Sequence, residues 1–256
     1  MVKKLSSRNS LIAAFAGVSL IIVAEYGARR FVAPLLPTLA AAQVNDMLAF
    51  ILCYSPLVWF SVSPTQRNLR SVCQIIRTIL ARVKTWLPWV GAIAILTTIS
   101  LLAPLDQWLW GQIQLPAWQS PALGLLLFPQ LAPVLVVITL LLVNGIFVPL
   151  VEEWLWRGLI QPRFVGRLGL SFGVLLAAFL FSLKHMIVDA SLGRLLTLTG
   201  FGIIVGTIAH REGWQSAALA HVVVNSIASI IALLASMQIS LRASADLVRW
   251  IPKSGF

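Results

Sequence analysis

The feature that most constrains this chain is a series of apolar runs, near residues 11–28, 47–63, 86–105, 131–161, 170–186, 195–210 and 214–237. About 20 apolar residues in helical conformation cross a hydrocarbon core, so each run is a candidate span. The runs are continuous, without the period-2 alternation of a membrane β-barrel. Charged residues make up only 11% of the chain and mean hydropathy is +0.92, whereas a soluble domain carries roughly 25% charged residues. A water-soluble globular protein is excluded, and an all-α, polytopic transmembrane helical bundle is expected. It has seven spans, or eight if the long 131–161 segment splits at Asn144-Gly145 or Pro149. The two cysteines, Cys53 and Cys73, exclude a disulfide framework and a cysteine-rich metal site.

The charge pattern orients the bundle. The formal charge of +11 reads as loops facing anionic headgroups and not as nucleic-acid binding. Residues 64–85 hold Arg67, Arg70, Arg77, Arg82 and Lys84 with no acid, which the positive-inside rule places in the cytoplasm. Val72, Ile75, Ile76, Ile79 and Leu80 fall on one side of a helix there, which predicts an amphipathic element lying on anionic lipid. The basic head Lys3-Lys4 before the first run resembles a signal peptide in shape. The run extends towards Arg29-Arg30 with no small-x-small site before them, which predicts an uncleaved first span with a cytoplasmic N-terminus. Trp108, Trp110 and Trp118 mark an outer interfacial loop. Three regions result: an N-terminal transmembrane region over 1–130, a helical core over 131–240 and a polar surface tail over 241–256.

An ionisable group inside a span is costly unless paired or facing water. Those singled out lie in the core: Glu152, Glu153, Arg157, His185 and His221, with the amide Asn225. Glu153 and Arg157 are i,i+4 neighbours and can pair, while Glu152 points about 100° away and is expected to be the unpaired carboxylate. The same spacing stacks Phe181 beneath His185 and His221 with Asn225. His210, beside Arg211 and Glu212, reads as structural. A carboxylate in an apolar site can serve as general base for water. A histidine can share that role or protonate a leaving amine. Imidazole and asparagine can donate to an oxyanion. Together these describe amide hydrolysis. No G-x-S-x-G turn or H-E-x-x-H helix is present.

The three motifs in this order, Glu152-Glu153-x-x-x-Arg157, Phe181-x-x-x-His185 and His221-x-x-x-Asn225, resemble the CPBP family of intramembrane proteases, which includes CAAX prenyl endopeptidases and bacteriocin-processing and immunity proteins. The resemblance covers about 131–237. It implies a site opening towards the cytoplasm in which Glu152 and His185 activate water, His221 and Asn225 form the oxyanion site, and Glu153 with Arg157 braces the first motif. No cofactor is expected. The alternative is a divalent ion such as Zn²⁺ on Glu152, His185 and His221. The expected partner is a membrane-associated peptide or protein substrate, and the expected location is a bacterial inner membrane. Two other functions compete: a non-catalytic scaffold or immunity protein of the same fold, and a small transporter lined by the same charges. With these span boundaries His185 lies about fifteen residues into its helix and His221 about seven into a parallel one, an offset of about 12 Å at 1.5 Å per residue.

Overall fold

A computed structural model describes residues 7–38, 42–63, 67–118, 120–123, 125, 127–128 and 131–249. These form eight helices and, among the described residues, no strand. Helix α1, Ser7–Gly27, continues through a π-helical turn, Ala28–Val32, into a 3₁₀ turn, Ala33–Leu35. Pro34, which has no N–H to donate, stands in that turn. Helices α2, Ala42–Ser61, and α4, Leu87–Trp110, flank the amphipathic α3, Leu69–Arg82. The start of α3 is fixed by Asn68, whose side chain accepts from the Ser71 amide at 2.9 Å, a standard N-cap.

The expected 131–161 segment is one rod, α5, over 132–168, and does not split. It carries two π-helical stretches, Thr139–Phe147 and Trp154–Ile160. The first contains Asn144-Gly145 and ends just before Pro149, so the predicted disruption is met by widening the helix. Helices α6, Leu170–Asp189, α7, Leu195–Glu212, and α8, Trp214–Arg249, complete the bundle. Single glycines, Gly169 at φ +79° and Gly213 at φ +90°, join α5 to α6 and α7 to α8. Only glycine adopts this backbone cheaply, and one-residue links make those helices antiparallel neighbours. The predicted polar tail is helical as far as Arg249; residues 250–256 and 1–6 lie outside the described residues.

Six helical stretches are long and apolar enough to cross a membrane, including Val134–Leu168 as one. The run expected over 195–210 forms α7 but is not among the six, since it ends in His210-Arg211-Glu212 and carries several threonines and glycines. The protein is an integral membrane bundle. The core joins α1, α2, α4, α5, α6, α7 and α8 through Phe50, Tyr54, Ile95, Trp156, Phe181, Phe201 and Val205.

Helix α4 runs past the expected 86–105 span to take in Trp108 and Trp110, which the sequence placed in a loop, and Asp106, which is fully buried. Its carboxylate accepts from the amides of Leu196 at 2.9 Å and Thr197 at 2.7 Å, and from the Thr197 hydroxyl at 2.6 Å. These are the orphan donors of the α7 N-terminus. Asp106→Ala should therefore destabilise the protein by on the order of 1–2 kcal/mol, read as a lowered midpoint of thermal unfolding in detergent.

Candidate active site

Three helices bring the sequence-predicted residues together. Glu152 and Glu153 sit on α5 where it passes from α-helix to its second π stretch, His185 sits one turn before the end of α6, and His221 and Asn225 sit early in α8. All but Glu153 and Arg157 line one cavity of about 520 Å³, with Phe181 in its wall. The expected offset between the histidines is absorbed because α8 does not begin level with α6. Its first residue, Trp214, packs edge-on against Trp154 of α5 with ring centroids 5.0 Å apart, so His221 stands beside Glu153.

Glu153 serves two partners. Its Oε1 lies 2.9 Å from Nδ1 of His221, and its Oε2 lies 3.3 Å from Arg157 Nε, an ion contact and not an aligned hydrogen bond. An ionised Glu153 can only accept, so the proton on that side of the ring belongs to His221 Nδ1, and Nε2 is the nitrogen left for other partners. The Arg157 guanidinium covers the Phe181 ring at 4.6 Å. Phe181 also stacks with Phe201 at 5.7 Å and meets His185 edge-on at 4.8 Å. Phe201 in turn meets His221 at 4.6 Å. Both imidazoles are thus held by aromatic walls.

Glu152 is not the unpaired carboxylate that helical spacing suggested. The Lys184 ammonium lies 2.7 Å from Glu152 Oε1 and 2.9 Å from Glu25 Oε2 of α1. A long side chain from the neighbouring helix α6 reaches what the spacing along α5 left open. Tyr54 of α2 donates its hydroxyl to the same Glu25 oxygen, and Arg29 pairs with Glu25 Oε1 at 2.8 Å. Three carboxylates, Glu25, Glu152 and Glu153, are thereby matched by Lys184, Arg29 and Arg157. His185 Nε2 lies 3.6 Å from Glu152 Oε1, too long for a direct hydrogen bond and suited to a shared water.

Sequence reasoning missed Lys184, Glu25, Tyr54 and Arg29. Glu25 carried a usable signal: it is an acid inside an apolar run, four residues before an arginine.

Asn225 is positioned by a missing donor. Pro149 has no N–H, so the carbonyls of Asn144 and Gly145, which it would bond in π and α register respectively, lack that partner. These two carbonyls accept from Asn225 Nδ2 at 3.1 Å and from Ser226 Oγ at 3.4 Å. The second amide hydrogen of Asn225 is left for the cavity.

Glu152, His185 and His221 do not fit a divalent ion as placed. An ammonium occupies the near side of Glu152, His221 is turned to Glu153, and no group of three or more His, Cys, Asp or Glu among the described residues is arranged to hold a metal.

The cavity mouth lies towards Arg29, Asp189 and Arg194. Side-chain exposure rises from 2% at Glu152 to 31% at Asp189 and 59% at Arg194. Its wall also takes Met47 near the start of α2 and Gln107 near the end of α4. The basic α3 lies at the other ends of those two helices, after Ser61 and before Leu87. One helix length therefore separates α3 from this end of the cavity.

A helical membrane bundle thus encloses a cavity lined by carboxylate, imidazole and amide side chains. Residues 133–227 match the family model described as type II CAAX prenyl endopeptidase Rce1-like, which supports the resemblance of this core to the CPBP intramembrane proteases. No curated protein and no solved structure matches the chain.

Proposed function

We propose that the protein is an intramembrane endopeptidase in which Glu152 and His185 activate a water, and His221 and Asn225 receive the oxyanion. The observation that carries this reading is the convergence of these four side chains, from three helices, on one cavity. A water held between Glu152 and His185 Nε2 would lose its proton to this pair as its oxygen attacks the peptide carbonyl carbon. The carbonyl oxygen becomes an oxyanion, met by the second Nδ2 hydrogen of Asn225 and by Nε2–H of His221 as imidazolium. Glu153, on Nδ1, stabilises that cation. Collapse of the intermediate breaks the C–N bond, and the proton taken from water passes to the leaving nitrogen. The 131–240 region would supply these groups, and 1–130 the counter-charges Glu25 and Arg29.

The substrate is a membrane-associated polypeptide, and a bacterial inner membrane is the proposed location. Comparing the protein termini present in membranes carrying wild-type or Glu152→Gln protein tests the reading: termini that vanish with Glu152→Gln are the expected result. Identical termini would favour a scaffold of the same fold. That second reading draws on the Lys184 contact, since a carboxylate 2.7 Å from an ammonium is also what a purely structural ion pair looks like.

On α3, Val72, Ile76 and Leu80 are exposed along one face, the arrangement of a helix lying on a lipid surface. Arg70→Gln combined with Arg77→Gln should reduce the thermal stabilisation that anionic lipid gives the solubilised protein, and with it the salt sensitivity of that effect.

A further inference from the structure

Each histidine of the cavity has a carboxylate facing its Nδ1, and one of those carboxylates lies outside the three motifs. On the His221 side it is Glu153, at 2.9 Å. On the His185 side it is Asp189, whose Oδ2 lies 4.0 Å from Nδ1, while Nε2 lies 3.6 Å from Glu152 Oε1. The His185 ring therefore stands between two acids. Helical spacing sets this up, since residues four apart share a face: Phe181, His185 and Asp189 form one stripe on α6, with Phe181 edge-on to the ring at 4.8 Å and Asp189 one turn beyond. The helix ends directly after Asp189, where Ala190 takes a left-handed φ of 54° and donates its N–H to the Met186 carbonyl.

Two other elements hold Asp189 beside the ring. Arg29, in the π-helical turn after α1, places Nη1 3.6 Å from Oδ1, and Arg194, just before α7, places Nη1 3.6 Å from Oδ2. Both are ion contacts longer than a hydrogen bond, so they anchor the carboxylate without using up its acceptor capacity. Glu152 Oε1, in contrast, already accepts from Lys184 at 2.7 Å. A neutral imidazole has one N–H to give, and Asp189 is the acid better able to take it. We propose that Asp189 is a positioning residue for His185: it holds the ring proton at Nδ1 and leaves the Nε2 lone pair facing Glu152 and the water between them. When that water attacks, its O–H bond breaks, an N–H bond forms at Nε2, and Asp189 balances the imidazolium that results, as Glu153 does for His221. Catalytic hydrogen bonds that are long in the free enzyme tighten in the substrate complex, which is the change expected of the 4.0 Å contact. The catalytic part of this proposal rests on the protease reading; the place of the ring proton rests on geometry alone.

Two measurements separate these layers. The chain has three histidines, so ring ¹⁵N resonances of the full chain in detergent can be assigned to His185 by their loss in His185→Gln. At a pH where the ring is neutral, wild-type protein should carry the His185 proton on Nδ1, and Asp189→Leu should move it to Nε2, where Glu152 faces it. A proton on Nε2 in the wild type, or signals unmoved by Asp189→Leu, would overturn the proposal; a merely structural Asp189 would change thermal stability and not the tautomer. Arg29 keeps Glu25 at 2.8 Å, so it is not stranded by the substitution. In single-turnover and steady-state cleavage, Asp189→Asn should lower kcat by at least about tenfold and leave KM unchanged, short of the roughly 10⁴-fold loss for a buried triad aspartate, because Asp189 is 31% exposed. A wild-type kcat in Asp189→Asn would overturn the positioning role while the protease reading stands. If no cleavage depends on Glu152, the protease reading fails and takes the catalytic role of Asp189 with it, while the ¹⁵N spectra still decide where the ring proton lies.

Discussion

Glu152→Gln is expected to lower peptide-bond cleavage by at least about 10²–10⁴-fold, the range for loss of a general base, while the protein stays folded. The substitution keeps size and a hydrogen-bonding oxygen but removes the basic one. Lys184 retains Glu25 at 2.9 Å, so its charge is not abandoned, and the amide oxygen of the substituted side chain can still accept from the ammonium. Single-turnover cleavage of a substrate found by terminus mapping, alongside thermal unfolding of the same preparation, separates rate from stability. Cleavage at the wild-type rate would remove Glu152 from the chemistry.

Lys184→Met should instead act on folding. The side chain is wholly buried between Glu25 and Glu152, and removing one member of a buried ion pair costs about 3–5 kcal/mol because the partner charge is left uncompensated. Here two carboxylates lose a partner. Folded yield in detergent should collapse. Adding Glu25→Gln to Lys184→Met removes one of the orphaned charges and should restore much of that yield. If Lys184→Met is as stable as wild type, the ion-pair account of this network is wrong.

How far the sequence disclosed the site follows from the range of each interaction. Pairs within one helix were legible: the spacing of Glu153 and Arg157, of Phe181 and His185, and of His221 and Asn225 predicts neighbours because helical geometry is local. The membrane class and the helical elements were equally legible, since hydropathy acts along the chain. What packing decides was not. Lys184 reaches Glu25 across 159 positions of sequence, and His221 reaches Glu153 across 68. Asp106, one residue past the run expected over 86–105, proved to be the cap of a helix that begins some 90 residues later.

Pro149 ties the site to the stability of its own helix in opposite senses. Replacing it with alanine would give α5 a donor for a carbonyl that now depends on α8, and the isolated helix would gain in propensity by about 3 kcal/mol. The same donor would compete with Asn225 for Asn144 and release the amide from its present direction. Selection for a sturdier α5 and selection for a well-aimed Asn225 therefore pull this position apart, a trade between robustness and activity located in a residue that never touches the cavity.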